Sequence, residues 1–259
     1  MSESDRLAGK AVLVTGAGSG YGAELAIGAA REGARAVIVH YRSSREGAER
    51  TAAAVRDAGG EALLVQGDIT VWDDIKAFMT DAFEQADGVD VLINNIGDIA
   101  SQQESWRDIT EEWIDHCLAV DIKGTMLCIH EAGTRMLERD GGVIVNIGST
   151  VITRGSPRAP QYAAGKYGVL GLTKSYAKAF APKVRVNTFC PGFMATETMQ
   201  RRKDWRSGRR EQLIADTPLG RIPGPDEFVK PALFLCSDDA AHLTGGLLLY
   251  DGGMAMPGA

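Results

Sequence analysis

The stretch from residue 11 to residue 22 reads Ala11-Val12-Leu13-Val14-Thr15-Gly16-Ala17-Gly18-Ser19-Gly20-Tyr21-Gly22. Its apolar start reads as a short buried strand, and the alternating glycines that follow read as a tight turn. A helical pattern over Ala23–Glu32 comes next. Strand, glycine turn and helix in that order let the backbone approach a pyrophosphate closely. The helix N-terminus adds free N–H groups and the positive end of its dipole. A flexible glycine-rich loop is the other reading of the glycines alone, but the flanking strand and helix favour a dinucleotide site. Two spacings coexist, Gly16-x-x-x-Gly20-x-Gly22 after Thr15 and Gly18-x-Gly20-x-x-Ala23, and the choice between them rests on residues further along.

Outward from this unit, short apolar runs recur at Ala36–His40, Ala62–Gln66, Val89–Ile93, Val143–Ile147, Val184–Phe189 and Leu247–Tyr250. With Ala11–Thr15 they predict seven buried strands. Between them, Arg45–Ala58, Trp72–Gln85, Glu111–Glu138 and Tyr162–Phe180 carry apolar residues at helical spacing. Such alternation predicts a single α/β domain over residues 1–259. Its form would be a Rossmann-like, doubly wound parallel sheet with about six helices on its two faces. The pattern breaks only over Gly192–Gly224.

The 259-residue chain is 44% hydrophobic, enough for a sizeable core, and carries a net charge of −6, which argues against a nucleic-acid binder. Cys117, Cys128, Cys190 and Cys236 form no CxxC pair and have no histidine cluster beside them. They read as reduced, mostly buried thiols, and no metal site is expected. The polar Met1–Lys10 lacks the apolar centre of a signal peptide, and no run approaches the roughly 20 apolar residues of a membrane span. A cytoplasmic location and no membrane partner are the expectation.

The end of the second strand bears on the cofactor. An acid there binds a ribose 2′-hydroxyl and repels a 2′-phosphate. Here the segment is Val39-His40-Tyr41-Arg42-Ser43-Ser44, with no carboxylate. Arg42 supplies a guanidinium and Ser43 a hydroxyl, so NADP(H) is favoured over NAD(H). A solvated arginine is the alternative, and Ser19 in the glycine turn supplies no second cation. Tyr162 and Lys166 are four residues apart at the start of a helix and so share one face. An ammonium beside a phenol stabilises the phenolate, as does an oxidised nicotinamide, and both are expected to lower the Tyr162 pKa. Ser149, at the end of Val145-Asn146-Ile147-Gly148-Ser149, falls at the carboxyl edge where such sheets bind ligands.

Taken in order, Thr15-Gly16-x-x-x-Gly20-x-Gly22, Asp68, Asn94-Asn95-Ile96-Gly97, Ser149, Tyr162-x-x-x-Lys166, Pro191-Gly192 with Thr196, and Asp251-Gly252-Gly253 resemble the short-chain dehydrogenase/reductase family from about Leu7 onward. The resemblance implies ketone–alcohol interconversion by hydride transfer, with Tyr162 as general acid and base, Ser149 on the substrate oxygen and Lys166 also on the nicotinamide ribose. It implies cofactor contacts at Gly16, Ser19, Gly20, Tyr21 and Gly22, at Tyr41, Arg42 and Ser43, and at Asp68 and Ile69 beside the adenine. Asn95, Ile96 and Gly97 would border the cofactor, and Pro191, Gly192, Met194 and Thr196 would orient the nicotinamide amide. Two departures stand out. The family's usual Asn, the fourth member of the catalytic set, is replaced in Val120-Asp121-Ile122, where Asp121 either serves through its backbone or adds charge to the proton relay. Ile96 replaces a usual Ala.

Substrate is expected between the loop after Ile96, the Ser149–Tyr162 connection and a mobile lid over residues 192–224. Arg154 and Arg158 are the candidate substrate contacts. Arg201, Arg202, Lys203, Arg206, Arg209 and Arg210 in the lid suggest an anion-attracting surface, with a solvated helical face as the preferred reading. His116, His130 and the tryptophans Trp106, Trp113 and Trp205 read as structural. Thr217-Pro218-Leu219-Gly220-Arg221 and the Asp-Gly-Gly-Met ending resemble the 3-oxoacyl-carrier-protein reductase branch. Reductases of sugars, polyols and xenobiotics share these features. The resemblance also implies a homotetramer packed through Glu111–Glu138, Tyr162–Phe180 and the C-terminal strand. Two alternatives accompany the reductase reading: an NAD(P)-dependent dehydrogenase of a sugar, polyol or hydroxy acid, and a non-catalytic NADP(H)-binding sensor.

Overall fold

The computed structural model describes residues 5–98, 103, 105–201 and 205–256, apart from the side chains of Thr198 and Arg206. Seven strands form one parallel sheet: β1 Ala11–Val14, β2 Ala36–Tyr41, β3 Glu61–Gln66, β4 Val91–Asn94, β5 Gly142–Ile147, β6 Val184–Pro191 and β7 Leu247–Tyr250. Their order is β3-β2-β1-β4-β5-β6-β7. The chain winds outward from β1 to β3, then returns to lay β4 against the free side of β1. Connections leave β1 and β4 in opposite directions, opening a crevice at their carboxyl ends, the place where doubly wound sheets bind ligands.

The helices are α1 Gly20–Arg31, α2 Arg45–Asp57, α3 Trp72–Gln85, α4 Glu111–Cys117, α5 Thr125–Leu137, α6 Val151–Arg154, α7 Pro160–Phe180, α8 Glu197–Gln200, α9 Arg210–Ala215 and α10 Val229–Cys236. Strands buried on both faces need helical cover on both, and alternate strand residues divide accordingly. Val12, Val14, Val37 and Val39 pack with Leu25, Ala29, Val55 and Leu233 of α1, α2 and α10. Leu13, Ile38, Leu92 and Ile144 pack on the other face with Phe78, Met79, Ile129 and Phe180 of α3, α5 and α7.

Three differences from the sequence pattern affect the site. First, α1 begins at Gly20, inside the glycine turn, and not at Ala23. Second, the expected helix over Glu111–Glu138 is α4 and α5 joined by a π-helical stretch, Leu118–Gly124, whose wider turn carries Asp121. Periodicity does not resolve one wide turn within a long helical run. Third, the patternless 192–224 region holds the short helices α8 and α9, with irregular backbone around Ser207 and Gly208. Arg202 and Lys203 lie outside the described residues, as does the Arg206 side chain.

A buried polar chain fixes the strands beneath the crevice. Asn94 donates to Asn146 Oδ1 at 2.9 Å, Asn146 donates to Thr173 Oγ1 at 2.9 Å, and the Thr173 and Thr188 hydroxyls lie 2.7 Å apart. It ties β4, β5, β6 and α7 together. Hydrogen bonds of this kind contribute about 1 kcal/mol each when satisfied and cost more when one partner is lost.

Candidate active site

The glycine turn is shaped by close approach. Gly16 has φ +66°, and a Cβ there would fall 2.7 Å from Ile96 Cγ1. A Cβ on Gly22 would collide with the Gly16 carbonyl oxygen and lie 2.6 Å from Asn95 Nδ2. Ser19 and Gly20 are exposed at the start of α1, where the Ser19 side chain makes no capping hydrogen bond and no acid stands in the first turn. A helix beginning this way keeps N–H donors and a positive end for an anion. The Tyr21 side chain turns away, its hydroxyl donating to the Phe228 carbonyl at 2.9 Å, so only its backbone is left to serve the turn. The residues thus fit a dinucleotide phosphate: bare backbone, an uncapped helix start and no opposing acid.

Neighbouring strand ends hold that turn in place. Thr15 Oγ1 accepts from the Asn95 N–H at 3.0 Å and the Ile96 N–H at 3.3 Å, and Asn95 Nδ2 donates to the Thr15 carbonyl at 3.0 Å. Asn95 therefore locks β4 to β1. His40, which composition and motif did not single out, accepts the Gly16 N–H at Nδ1, 3.2 Å away, and its Nε2 contacts the Gly67 carbonyl at 3.1 Å. One imidazole joins the glycine turn to the end of β3. With Nδ1 accepting and Nε2–H donating the ring is neutral, and burial lowers its pKa to about 4.

At the end of β2, Tyr41 is buried, while Arg42 and Ser43 are exposed. Arg42 Nη1 lies 3.5 Å from Asp68 Oδ2, with the arginine side chain 61% exposed. The other Asp68 oxygen accepts from the Thr70 N–H and hydroxyl at 2.8 and 2.7 Å. Burial works against the Asp68 charge, but these bonds and Arg42 outweigh it and hold its pKa below the ordinary value. Ile69 is buried, and its carbonyl packs where only a glycine, Gly124, leaves room.

A cavity of about 860 Å³ opens beside the crevice. Ser149 and Tyr162 stand on its wall with Arg154, Gly192, Met194 and Thr196. Ser149 lies just past β5, where its hydroxyl accepts from the Val151 N–H at 3.3 Å, and it lines the same cavity wall as Tyr162. Pro160 opens α7, a position that needs no N–H, and sets Tyr162 in the first turn. Lys166 Nζ sits 5.8 Å from the Tyr162 ring centroid. It is buried, donates to the Ile147 carbonyl at 3.3 Å and pairs with Asp121 Oδ1 at 2.9 Å.

Lys166 acts on the Tyr162 phenol in the expected direction, but in the protein alone other surroundings outweigh it. Burial raises the Tyr162 pKa, Lys166 and Ser149 oppose, and Asp121 and Cys190 add to the rise, so the phenol of the protein alone lies above its ordinary value. The sequence marks Asp121 as a charge that could enter the proton relay, and the structure puts its carboxylate 2.9 Å from Lys166 Nζ.

Arg158 lines the same cavity and is also tied to the loop after β4: it donates to the Gln103 carbonyl, and Gln103 Nε2 donates to its carbonyl at 2.8 Å. Arg154 is exposed on the cavity wall. Of the lid cations, Arg201 pairs with Glu197 and Arg210 lies 3.8 Å from Glu211, as a solvated face would have them. Arg209 differs, lining the cavity with its guanidinium 6.0 Å from the Phe193 ring centroid. Thr196 accepts from the Met199 N–H at 3.2 Å and so caps α8. The four cysteines are buried and free. Among the described residues no cluster could hold a metal, and no helix is long and apolar enough to cross a membrane.

A switch-point glycine turn, a β4–β1 lock and a Ser–Tyr–Lys set at a cavity define a nicotinamide-dependent oxidoreductase acting on C–OH and C=O groups. A family model described as enoyl-(acyl carrier protein) reductase matches residues 16–255, and the chain belongs to that family, the short-chain dehydrogenases/reductases. It is 34% identical over 248 residues to the 3-oxoacyl-(acyl-carrier-protein) reductase of Staphylococcus aureus strain Mu50, covering 95% of this chain and 98% of that one. Its fold is similar to that of a gluconate 5-dehydrogenase from Burkholderia cenocepacia in complex with NADP and tartrate, with TM-score 0.89, 28% identity and 96% of each chain covered. It is also similar to a variant of actinorhodin polyketide ketoreductase with NADPH, with TM-score 0.88 and 30% identity over 99% of this chain and 100% of that one.

Proposed function

We propose that this enzyme uses NADP(H) to interconvert a ketone and a secondary alcohol, with Tyr162 as general acid and base. The observation that carries the reading is the Ser149–Tyr162 pair on the cavity wall, backed by Lys166. The bound cofactor supplies or accepts the hydride. Ser149 donates a hydrogen bond to the substrate oxygen and orients it toward Tyr162. The phenol gives its proton to that oxygen in reduction and takes one back in oxidation. Lys166 holds the cofactor ribose hydroxyls. Asn95, Ile96 and Gly97 border the nicotinamide half, and Pro191, Gly192, Met194 and Thr196 orient its amide.

NADP(H) preference rests on Arg42, which is largely solvated and able to turn from Asp68 toward a 2′-phosphate, with Ser43 beside it. Val151, Phe193, Met194, Met199 and Leu213 give the cavity an apolar lining. That lining favours an acyl or other apolar ketone over a polyol, and 3-oxoacyl thioesters are the first class to assay. Arg154 and Arg209 would meet an anionic group at the far end of such a substrate. Residues 192–224 serve as the substrate lid of one catalytic domain spanning residues 1–259. A sensor would not need Ser149, Tyr162 and Lys166 together, and this chain has all three. A homotetramer in the cytoplasm completes the reading; Leu118, Met126 and Tyr167 near α4, α5 and α7, and Leu247 and Tyr250 of β7, are exposed apolar residues available for it.

Fluorescence titration with NADPH and NADH tests the cofactor assignment. Tighter NADPH binding that Arg42→Ala selectively weakens supports it. Equal or tighter NADH binding overturns it and moves the substrate screen toward alcohol and polyol oxidation.

A further inference from the structure

Lys166 and Asp121 form a buried ion pair in a cradle built for it. Nζ and Oδ1 are 2.9 Å apart, with the side chains 5% and 0% exposed. The second Asp121 oxygen accepts from Cys117 Sγ at 3.4 Å. Two glycines make the space. A Cβ on Gly97 would collide with Lys166 Nζ and fall 2.9 Å from Asp121 Oδ1, and a Cβ on Gly165 would fall 2.9 Å from Asp121 Cβ. The loop after β4, the π-helical stretch, α4 and α7 all contribute, so elements from several parts of the fold enclose the carboxylate beside the ammonium.

Pairing changes what Lys166 does to its neighbour. An uncompensated buried ammonium 5.8 Å from the Tyr162 ring centroid would strongly stabilise a phenolate. With a carboxylate in contact, the pair presents a dipole whose field falls off faster. We propose that Asp121 is a positioning residue that acts through Lys166, neutralising it so that Tyr162 is kept as a hydroxyl and the centre is set for proton donation, the reductive direction. This rests on the ketone–alcohol reading given above. In reduction the Tyr162 O–H bond breaks, its proton goes to the substrate oxygen as the carbonyl carbon takes the hydride from the reduced dinucleotide, and solvent reprotonates the phenolate. Oxidation must start from the phenolate, which this charge arrangement withholds until alkaline pH.

The other groups acting on the pair and the phenol do not reverse this balance. Asp98, after β4, adds negative charge near Asp121 and Cys117, and burial pushes the Cys117 thiol up to about 12. Ser149 favours the phenolate, while Cys190 at the end of β6 disfavours it. Lys166 stays charged: burial alone would lower its pKa, but Asp121 and Tyr162 more than offset that.

The test is the tyrosinate absorbance of the cofactor-free protein against pH, taken as the difference between wild type and Tyr162→Phe, and repeated in an Asp121→Asn background. In wild type, Tyr162 ionises above the ordinary phenol value of 10.0. Asp121→Asn lowers that value by about one pH unit or more. The alkaline limb of NADP+-dependent alcohol oxidation moves to lower pH with it. A phenol that ionises below the ordinary value in wild type overturns the proposal, as does a titration that Asp121→Asn leaves unmoved. If Asp121→Asn does not fold, Asp121→Ser, which also removes the carboxylate, decides by the same difference titration. The titration needs neither cofactor nor substrate. A shifted phenol in a protein that reduces no ketone therefore refutes the reductase reading alone, and an unshifted phenol in an active reductase refutes only the role of Asp121.

Discussion

Arg42 carries its charge into solvent with one Asp68 oxygen 3.5 Å away. An exposed pair of this kind contributes at most about 1 kcal/mol, so little holds the guanidinium back from a phosphate. Charge-assisted hydrogen bonds to a phosphate are worth about 1.5–3 kcal/mol. Arg42→Ala is therefore expected to weaken NADPH binding by roughly 10- to 100-fold and to leave NADH binding nearly unchanged, as calorimetry would measure. His40 makes a prediction about pH. Its folded-state pKa of about 4 lies below the ordinary 6.5, so between those values the unfolded chain binds the proton that the native ring refuses. Stability contributed by the neutral ring is complete above pH 6.5 and is lost as pH falls toward 4. Linkage puts the loss at about 3 kcal/mol. Urea unfolding across this range, compared with His40→Asn, should show the difference close only at the acidic end. A pH-independent difference would remove His40 from that role.

Among the elements, the strand–turn–helix unit depends on bare backbone where α1 meets the Gly16 carbonyl and Asn95. Gly22→Ala places a methyl into both. The turn must shift, and dinucleotide affinity is expected to drop by at least about 10-fold with a lowered Tm, from an overpacking cost of roughly 1–3 kcal/mol. The strands, their number and the turn are legible in the sequence because buried parallel strands are uninterrupted apolar runs and glycine marks the turn. Ser149, Tyr162 and Lys166 are legible for a similar reason: their spacing is local or fixed by one strand end. The π-helical stretch is not, since a single wide turn leaves the apolar period almost unchanged. Nor are the contacts of Asp121 with Lys166 and of His40 with Gly16 and Gly67, which join segments distant in sequence. The chain from Asn94 to Thr188 was hidden likewise: polar residues inside apolar strands read as interruptions until the register aligns them. Asn146→Leu should cost about 1–3 kcal/mol by leaving Asn94 and Thr173 unsatisfied, measurable as a lowered Tm.

For the whole molecule, the winding order places the switch point between β1 and β4 and the cavity beside β5, so one end of the sheet gathers all the chemistry. The opposite concern is what covers the outer helices. Tyr167 is 52% exposed on α7, and Leu118 and Met126 are exposed on the neighbouring helical run. Sedimentation should report a tetramer, and Tyr167→Glu should shift it to smaller species; a wild-type monomer would rule the assembly out. The central claim is catalytic and is tested most directly by turnover of NADPH with a panel of ketones and 3-oxoacyl thioesters, comparing wild type with Tyr162→Phe while measuring NADPH binding on the same preparations. The expected result is a rate in the wild type that falls by about 10²–10⁴-fold in Tyr162→Phe, with NADPH affinity retained. Equal turnover by the two proteins would contradict the account.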